Sequence, residues 1–222
     1  MRYLDLLTAL FATVLLVSNV ASTKLVVLGP FTFDGGTLLF PLAYIFGDVL
    51  TEVYGYRKSR RVIWIGFFAL LLATLTFQAV AHLPAPPDAE SQRFGEAFGL
   101  LLGLTPRIVL GSLLAYFLGE FANAYVLAKL KVRTEGRFFW LRAPASTLVG
   151  QGLDTGVFLL VAFYGVFPKE VLLAVFLSNY AFKLGVEALM LPFTYAVVGF
   201  LKRAEGMDAY DRDTDFNPFR LT

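Results

Sequence analysis

The chain has 222 residues, 57% of them hydrophobic and 16% charged, with a net charge of +2 and a mean hydropathy of +0.67. That balance lies outside ordinary globular usage and reads as a polytopic membrane protein, and so small a basic excess makes no case for nucleic-acid binding. The absence of cysteine excludes disulfides, thiolate metal sites and cysteine nucleophiles.

Residues 4–23 form the first apolar helix, with Ser18 and Asn19 near its far end and Lys24 placed to snorkel to the outer interface. At about 1.5 Å per residue it crosses a hydrocarbon core of about 30 Å. Val20-Ala21-Ser22 could pass for a signal-peptide cleavage site. The leading residues, however, offset Arg2 with Asp5, and the apolar run is long for a signal peptide, so the stretch reads as a span. Residues 27–36, with Pro30, Asp34, Gly35 and Gly36, cannot continue the helix.

Pro41 disfavours helical geometry at Phe40, and a helix over residues 41–54 rises only about 21 Å. The second helix is therefore expected to be kinked or broken at membrane depth, the kind of span on which transporters build binding sites. It carries Tyr44, Asp48 and Glu52 and runs into Arg57, Lys58, Arg60 and Arg61. A charge in hydrocarbon costs at least about 2.5 kcal/mol, which makes intramembrane carboxylates candidate functional groups.

The third helix covers residues 62–81 and contains Gln78. His82 at its end reads as a wet interfacial histidine beside a loop with Pro84, Pro86 and Pro87. Between residues 88 and 106, Phe94, Phe98 and Leu102 recur at spacing four, predicting a short helix on the membrane surface. Helix 4, residues 107–130, sets Ser112, Tyr116, Glu120 and Asn123 on one face. Helix 5, residues 143–167, carries Ser146, Thr147, Gln151, Asp154 and Thr155, with Gly152 and Gly156 offering a face for close helix approach. Helix 6, residues 171–201, stacks Asn179, Lys183 and Glu187 at spacing four. At about 46 Å it must tilt or protrude, with Pro192 as the place to kink. The remainder, with Asp208, Asp211, Asp213 and Asp215, reads as a solvated tail.

The cations cluster after the second and fourth helices (Arg57 to Arg61; Lys129, Lys131, Arg133, Arg137 and Arg142), whereas the connection between helices 5 and 6 holds only Lys169. By the positive-inside rule both clusters and both termini face the cytoplasm. The expected architecture is all-α: a single domain of six transmembrane helices over residues 1–201 and a charged cytoplasmic tail over 202–222. Helices 2 and 5 each carry an acid among glycines, and helices 1 and 4 each carry an asparagine shortly before Lys-Leu, a faint sign of a three-plus-three inverted repeat.

The candidate binding residues are Asn19, Tyr44, Asp48, Glu52, Glu120, Gln151, Asp154, Asn179, Lys183 and Glu187. Carboxylates accept hydrogen bonds, amides give and accept, and aromatic faces stack, a set suited to a small, flat, nitrogen-rich solute. Three members have a second reading. Glu52 could pair with Arg57 or Arg60 at the interface, and Lys183 and Glu187 could satisfy each other along one helix. Asp48 and Asp154 have no cation close in sequence.

The stretch Phe40-Pro41-Leu42-Ala43-Tyr44-Ile45-Phe46-Gly47-Asp48-Val49-Leu50-Thr51-Glu52-Val53-Tyr54-Gly55-Tyr56 resembles the queuosine precursor transporter family of bacterial inner membranes, part of the vitamin uptake transporter group. Ser18-Asn19 with Lys24, Thr105-Pro106-Arg107-Ile108, Trp140-Leu141-Arg142 and the series Lys183, Glu187, Pro192 extend the likeness over nearly the whole chain. The resemblance implies a multi-pass inner-membrane carrier, not an enzyme, that imports 7-deazaguanine bases such as 7-cyano-7-deazaguanine or 7-aminomethyl-7-deazaguanine for salvage into tRNA queuosine. Its partners would be a nucleobase-like substrate and the bilayer, with a homodimer left open. No cofactor or metal is implied. Two other readings stand beside it: a substrate-binding subunit of an energy-coupled importer, and an intramembrane aspartyl hydrolase built on Asp48 and Asp154.

Overall fold

The computed structural model describes residues 1–28, 31–103 and 106–220; Pro30 and Thr105, singled out above, lie outside the described residues. The first helix, α1 (Leu4–Ala21), leads into a β-hairpin of β1 (Leu25–Leu28) and β2 (Phe31–Asp34), antiparallel with Leu25 opposite Asp34. A 3-10 turn, Gly35–Leu38, then delivers the chain to α2 (Phe40–Tyr54). Pro41 falls in the first turn of α2, where its missing N–H breaks no helical bond. So the proline starts this helix instead of kinking it.

Gly55, with φ +81°, joins α2 directly to α3 (Tyr56–Ala81), a conformation that a β-carbon disfavours. The expected basic loop is thus the first turns of α3. Cations are unfavourable at a helix N-terminus, and here distant residues meet the helix start and Arg60. The Tyr56 N–H donates to Asp211 at 2.9 Å, and the buried Arg60 guanidinium donates to the carbonyls of Asp215 and Asn217 at 2.8 and 2.6 Å.

The surface helix is present as α4 (Ala89–Leu102), N-capped by the Asp88 carboxylate, which accepts from Ser91 N–H at 2.8 Å. That bond holds the exposed Asp88 carboxyl below the usual carboxylate range. No residue of α4 is buried, and Phe94 is 70% exposed. The remaining helices are α5 (Pro106–Arg133), α6 (Phe139–Phe163) and α7 (Lys169–Glu205). Helix α6 starts four residues earlier and ends four earlier than expected, since a turn at Tyr164 and Gly165 (φ +79°) stops it. Helix α7 runs 37 residues through Pro192, about 56 Å of rise.

Helices α5 and α6 form the most intimate pair. A β-carbon on Gly119 would lie 2.8 Å from the Asp154 β-carbon, and one on Gly150 would lie 2.8 Å from that of Asn123. The small-residue contact is therefore made by Gly119 and Gly150. Gly152 and Gly156, expected to make it, meet only ring edges of Tyr180 and Phe176 at an ordinary 3.7 Å.

Among the described residues, α1, α3, α5, α6 and α7 are long and apolar enough to cross a membrane. The protein is an all-α, multi-pass membrane protein. The position expected for a sixth span is taken by α2, whose 15 residues rise about 22 Å. The tail is docked, not solvated. Ala209 N–H bonds to Val53 carbonyl at 3.1 Å, Trp64 Nε1 donates to Pro218 at 2.8 Å, and Phe216 packs on Tyr56 with ring centroids 4.8 Å apart.

Candidate functional site

Tyr3 N–H and the Tyr54 hydroxyl both donate to Glu205 near the end of α7, at 2.7 and 2.9 Å, so the start of α1, the end of α2 and the end of α7 share one end of the bundle. From the opposite end a cavity of about 410 Å³ descends between α1, α2, α5, α6 and α7. Ser22 and Asn179 lie near its mouth and are exposed, whereas Tyr44, Tyr116 and Gln151 are buried in its walls.

Of the ten candidate residues, seven line this cavity: Asn19, Tyr44, Glu120, Gln151, Asp154, Asn179 and Lys183. Ser112 and Tyr116 from the α5 face, Thr155 and Phe158 from α6, and Ser18 from α1 join them. The Lys183 ammonium donates to Asp154 and Gln151, each at 3.0 Å, and to Thr155 at 3.3 Å. Lys183 thus bridges α7 to α6 and does not pair with Glu187 along its own helix. Glu120 has no ion pair among the described residues, and its Oε2 would lie 3.4 Å from a β-carbon on Gly47, so the glycine leaves room for it. The Tyr116 hydroxyl donates to Ile63 carbonyl at 3.0 Å, which fixes that ring against the wall.

Asp48, Glu187 and Glu52 do not line the cavity. Asp48 lies one helical turn beyond Tyr44, 2% exposed, and accepts a 3.3 Å hydrogen bond from Asn123 Nδ2. Glu187, one turn beyond Lys183 and 7% exposed, accepts from the Thr147 hydroxyl at 2.7 Å.

One turn further, at the end that holds the chain termini, Glu52 is the centre of an ionic knot. Arg142 donates to both of its oxygens at 2.7 and 3.1 Å, Lys202 to Oε1 at 2.8 Å, and Lys131 lies 3.6 Å away. The expected partners Arg57 and Arg60 play no part in it, because both fall on the far side of Gly55 on α3. Asp208 of the tail completes the knot, accepting from Lys131 and, at 2.9 Å, from Lys202. Partial burial works to raise the Asp208 carboxyl, but the two ammonium groups outweigh it and hold it below the ordinary carboxylate range.

Sequence reading did not single out Ser22, Phe163, Val175 or Phe182 of the cavity wall, nor Lys131, Arg142 and Lys202 as the partners of Glu52. The signal for the knot was present: one deep carboxylate on a short helix, and more cations near the ends of α5, α6 and α7 than solvation requires.

The cavity and the knot form a layered polar column through five helices. Residues 34–197 match the family described as "Putative vitamin uptake transporter". The chain is 36% identical over 188 residues, 84% of its length and 80% of the relative's, to the "Probable queuosine precursor transporter" of Bacillus subtilis. It is 27% identical over 168 residues, 73% of its length and 71% of the relative's, to the "Queuosine precursor transporter" of Escherichia coli. No solved structure matches it. With nearly three quarters of its residues inside the family match, the chain is a membrane transporter, not an enzyme, and belongs to the vitamin uptake transporter family together with the queuosine precursor transporters.

Proposed function

We propose that this protein imports 7-deazaguanine precursors of queuosine across the bacterial inner membrane. The observation that carries the reading is the makeup of the cavity. At about 410 Å³ it falls in the range that encloses small ligands, and it sets two carboxylates and several amides among the rings of Tyr44, Tyr116 and Phe158. A deazaguanine is flat and presents adjacent N–H donors. A carboxylate such as Asp154 or Glu120 takes a pair of them, Gln151 or Asn19 meets the ring carbonyl, and an aromatic wall covers the face. Lys183 holds Asp154 through one oxygen, which leaves the other for substrate.

The reading includes six passes with both termini in the cytoplasm. Ser18 Oγ bonds to Gly36 carbonyl at 3.2 Å near one end, and Tyr3 and Tyr54 meet at Glu205 near the other. The 3-10 turn and α2 therefore cover the same depth as α1, and together they serve as the sixth crossing. Cations at the ends of α5 and α7 and the start of α3 support a cytoplasmic assignment for that end. The cavity then opens outward and the knot seals the inside. The asparagines of helices 1 and 4, Asn19 and Asn123, and the acids of helices 2 and 5, Asp48 and Asp154, fall in the polar column, as a three-plus-three inverted repeat would arrange them.

The test is uptake of radiolabelled 7-cyano-7-deazaguanine in cells that cannot synthesise it. Uptake should appear with the protein and weaken roughly ten- to hundredfold in apparent affinity with Asp154→Asn, the worth of a charge-assisted hydrogen bond. Equal uptake with and without the protein would refute the reading, and uptake that requires a co-purifying ATPase would make the chain a subunit of an energy-coupled importer.

A further inference from the structure

Between the cavity and the ionic knot lies a separate layer of polar side chains that neither one uses. Each member sits about one helical turn below a cavity residue on its own helix: Asp48 below Tyr44, Asn123 below Glu120, Thr147 below Gln151 and Glu187 below Lys183. All four are at least nine-tenths buried. We propose that Asp48, Asn123 and Glu187 form a proton-binding site beneath the substrate cavity, and that substrate entry is coupled to inward movement of a proton through it. The coupling half of the proposal rests on the transport reading above; the binding half does not.

Two observations point to a proton. The first is the distribution of positive charge. Facing Asp48 are Glu52 on its own helix, Asn123 and Glu120 of α5, Arg142 of α6 and Glu187 of α7. Facing Glu187 are Asp48 and Tyr44 of α2 and Thr147 of α6. Arg142, Lys131 and Lys202 are committed to Glu52, and Lys183 is committed to Asp154. No ion pair to Asp48 or Glu187 occurs among the described residues. Two neighbouring carboxylates in a low-dielectric interior, whose nearest cation, Arg142, is already spent on Glu52, do not both ionise, and the favourable resolution is to take up a proton.

The second is the pattern of unmet hydrogen bonds. Two buried acceptor atoms in this layer, Asn123 Oδ1 and Glu187 Oε2, have no donor among the described residues. Ordinary structures leave few such atoms. A proton on either carboxyl group creates the missing kind of group: a donor that can turn to Asn123 Oδ1, or be held by Glu187 Oε2. Asn123 suits both states of Asp48, because its amide N–H donates to the carboxylate as observed and its oxygen can accept from the protonated acid. The layer also communicates with the cavity. A β-carbon on Gly47 would lie 3.4 Å from Glu120 Oε2 and 3.8 Å from Asn123 Nδ2, so the cavity carboxylate and the relay amide stand side by side against bare α2 backbone.

The binding half is read by infrared spectroscopy on the purified protein, without substrate. The wild type should show a protonated-carboxyl band at neutral pH that bleaches on alkalinisation, and the band should shrink in Glu187→Gln or Asp48→Asn. Absence of the band in the wild type, or a band unchanged in both variants, overturns the site, and the wild-type spectrum decides even if a variant fails to fold. The coupling half is read in proteoliposomes with labelled 7-cyano-7-deazaguanine. An inward proton gradient should raise accumulation by up to about tenfold per pH unit for one coupled proton, with lumenal acidification, and Glu187→Gln should bring the ratio of uptake with and without the gradient to one. Transport indifferent to the gradient, or driven instead by sodium, overturns the coupling. Failure to move any deazaguanine while the band behaves as expected refutes the substrate reading and the coupling together, and leaves the proton site standing.

Discussion

Arg142 grips Glu52 with two hydrogen bonds, 2.7 and 3.1 Å, although 90 residues separate them and each side chain is only 1% exposed. Removing one partner of a buried pair strands the other charge, which costs about 3–5 kcal/mol. Arg142→Ala should sit at the low end of that range, because Lys202 and Lys131 stay with Glu52. Arg142→Lys should recover only part of the loss, since an ammonium cannot make the two-pronged contact. Thermal unfolding of the detergent-solubilised variants checks the order.

The close contact of α5 and α6 predicts a contrast between glycines one turn apart or less. Gly150→Ala places a methyl 2.8 Å from the Asn123 β-carbon and 2.9 Å from the Gly119 carbonyl, so the helices must part, at a cost of about 1–3 kcal/mol. Gly152→Ala meets nothing nearer than 3.7 Å and should melt close to the wild type. A pair of melting curves in the same detergent makes the comparison.

Lys183 satisfies three oxygens on α6, and Lys183→Met would leave the Asp154 carboxylate without a cation. The variant should still reach the membrane but bind substrate roughly tenfold or more weakly, as expected when a charge-assisted bond that orients the proposed binding carboxylate is lost. Equilibrium binding of labelled 7-cyano-7-deazaguanine to purified protein measures this apart from transport rate.

Asp208 ties the tail to Lys131 and Lys202, and both ammonium groups hold its carboxyl below the ordinary range. A depressed folded-state value means the contribution is present at neutral pH, above the unfolded value of about 3.9, and is lost as pH falls through the folded value. The tail should therefore stay docked through mild acid and loosen only beneath about pH 4. Trp64 reports the change, since its indole N–H donates to Pro218 and its ring lies 6.1 Å from that of Phe219. A shift in Trp64 emission at neutral pH in Asp208→Asn would show the same release without acid.

Much of the column was legible because helical spacing is strict. Tyr44, Asp48 and Glu52 had to stack on one face of α2, as Asn179, Lys183 and Glu187 had to stack on α7. What periodicity could not say is at which depth each rung meets a cavity, a neighbouring amide or a cation. That depends on how the helices slide past one another, which the Gly119–Gly150 contact sets. The docked tail was illegible for a related reason. Its acids look solvated until Tyr56 N–H and the Arg60 guanidinium, more than 150 residues away in sequence, are known to need acceptors.

The joint at Gly55 has a mechanical consequence. With one residue between the last turn of α2 and the first of α3, and with Tyr56 N–H pinned by Asp211, there is no slack to absorb a displacement. A shift of α2 along its axis must be handed to α3 as a lever hands on a stroke, so the two are expected to travel as a single rigid elbow when the carrier changes face.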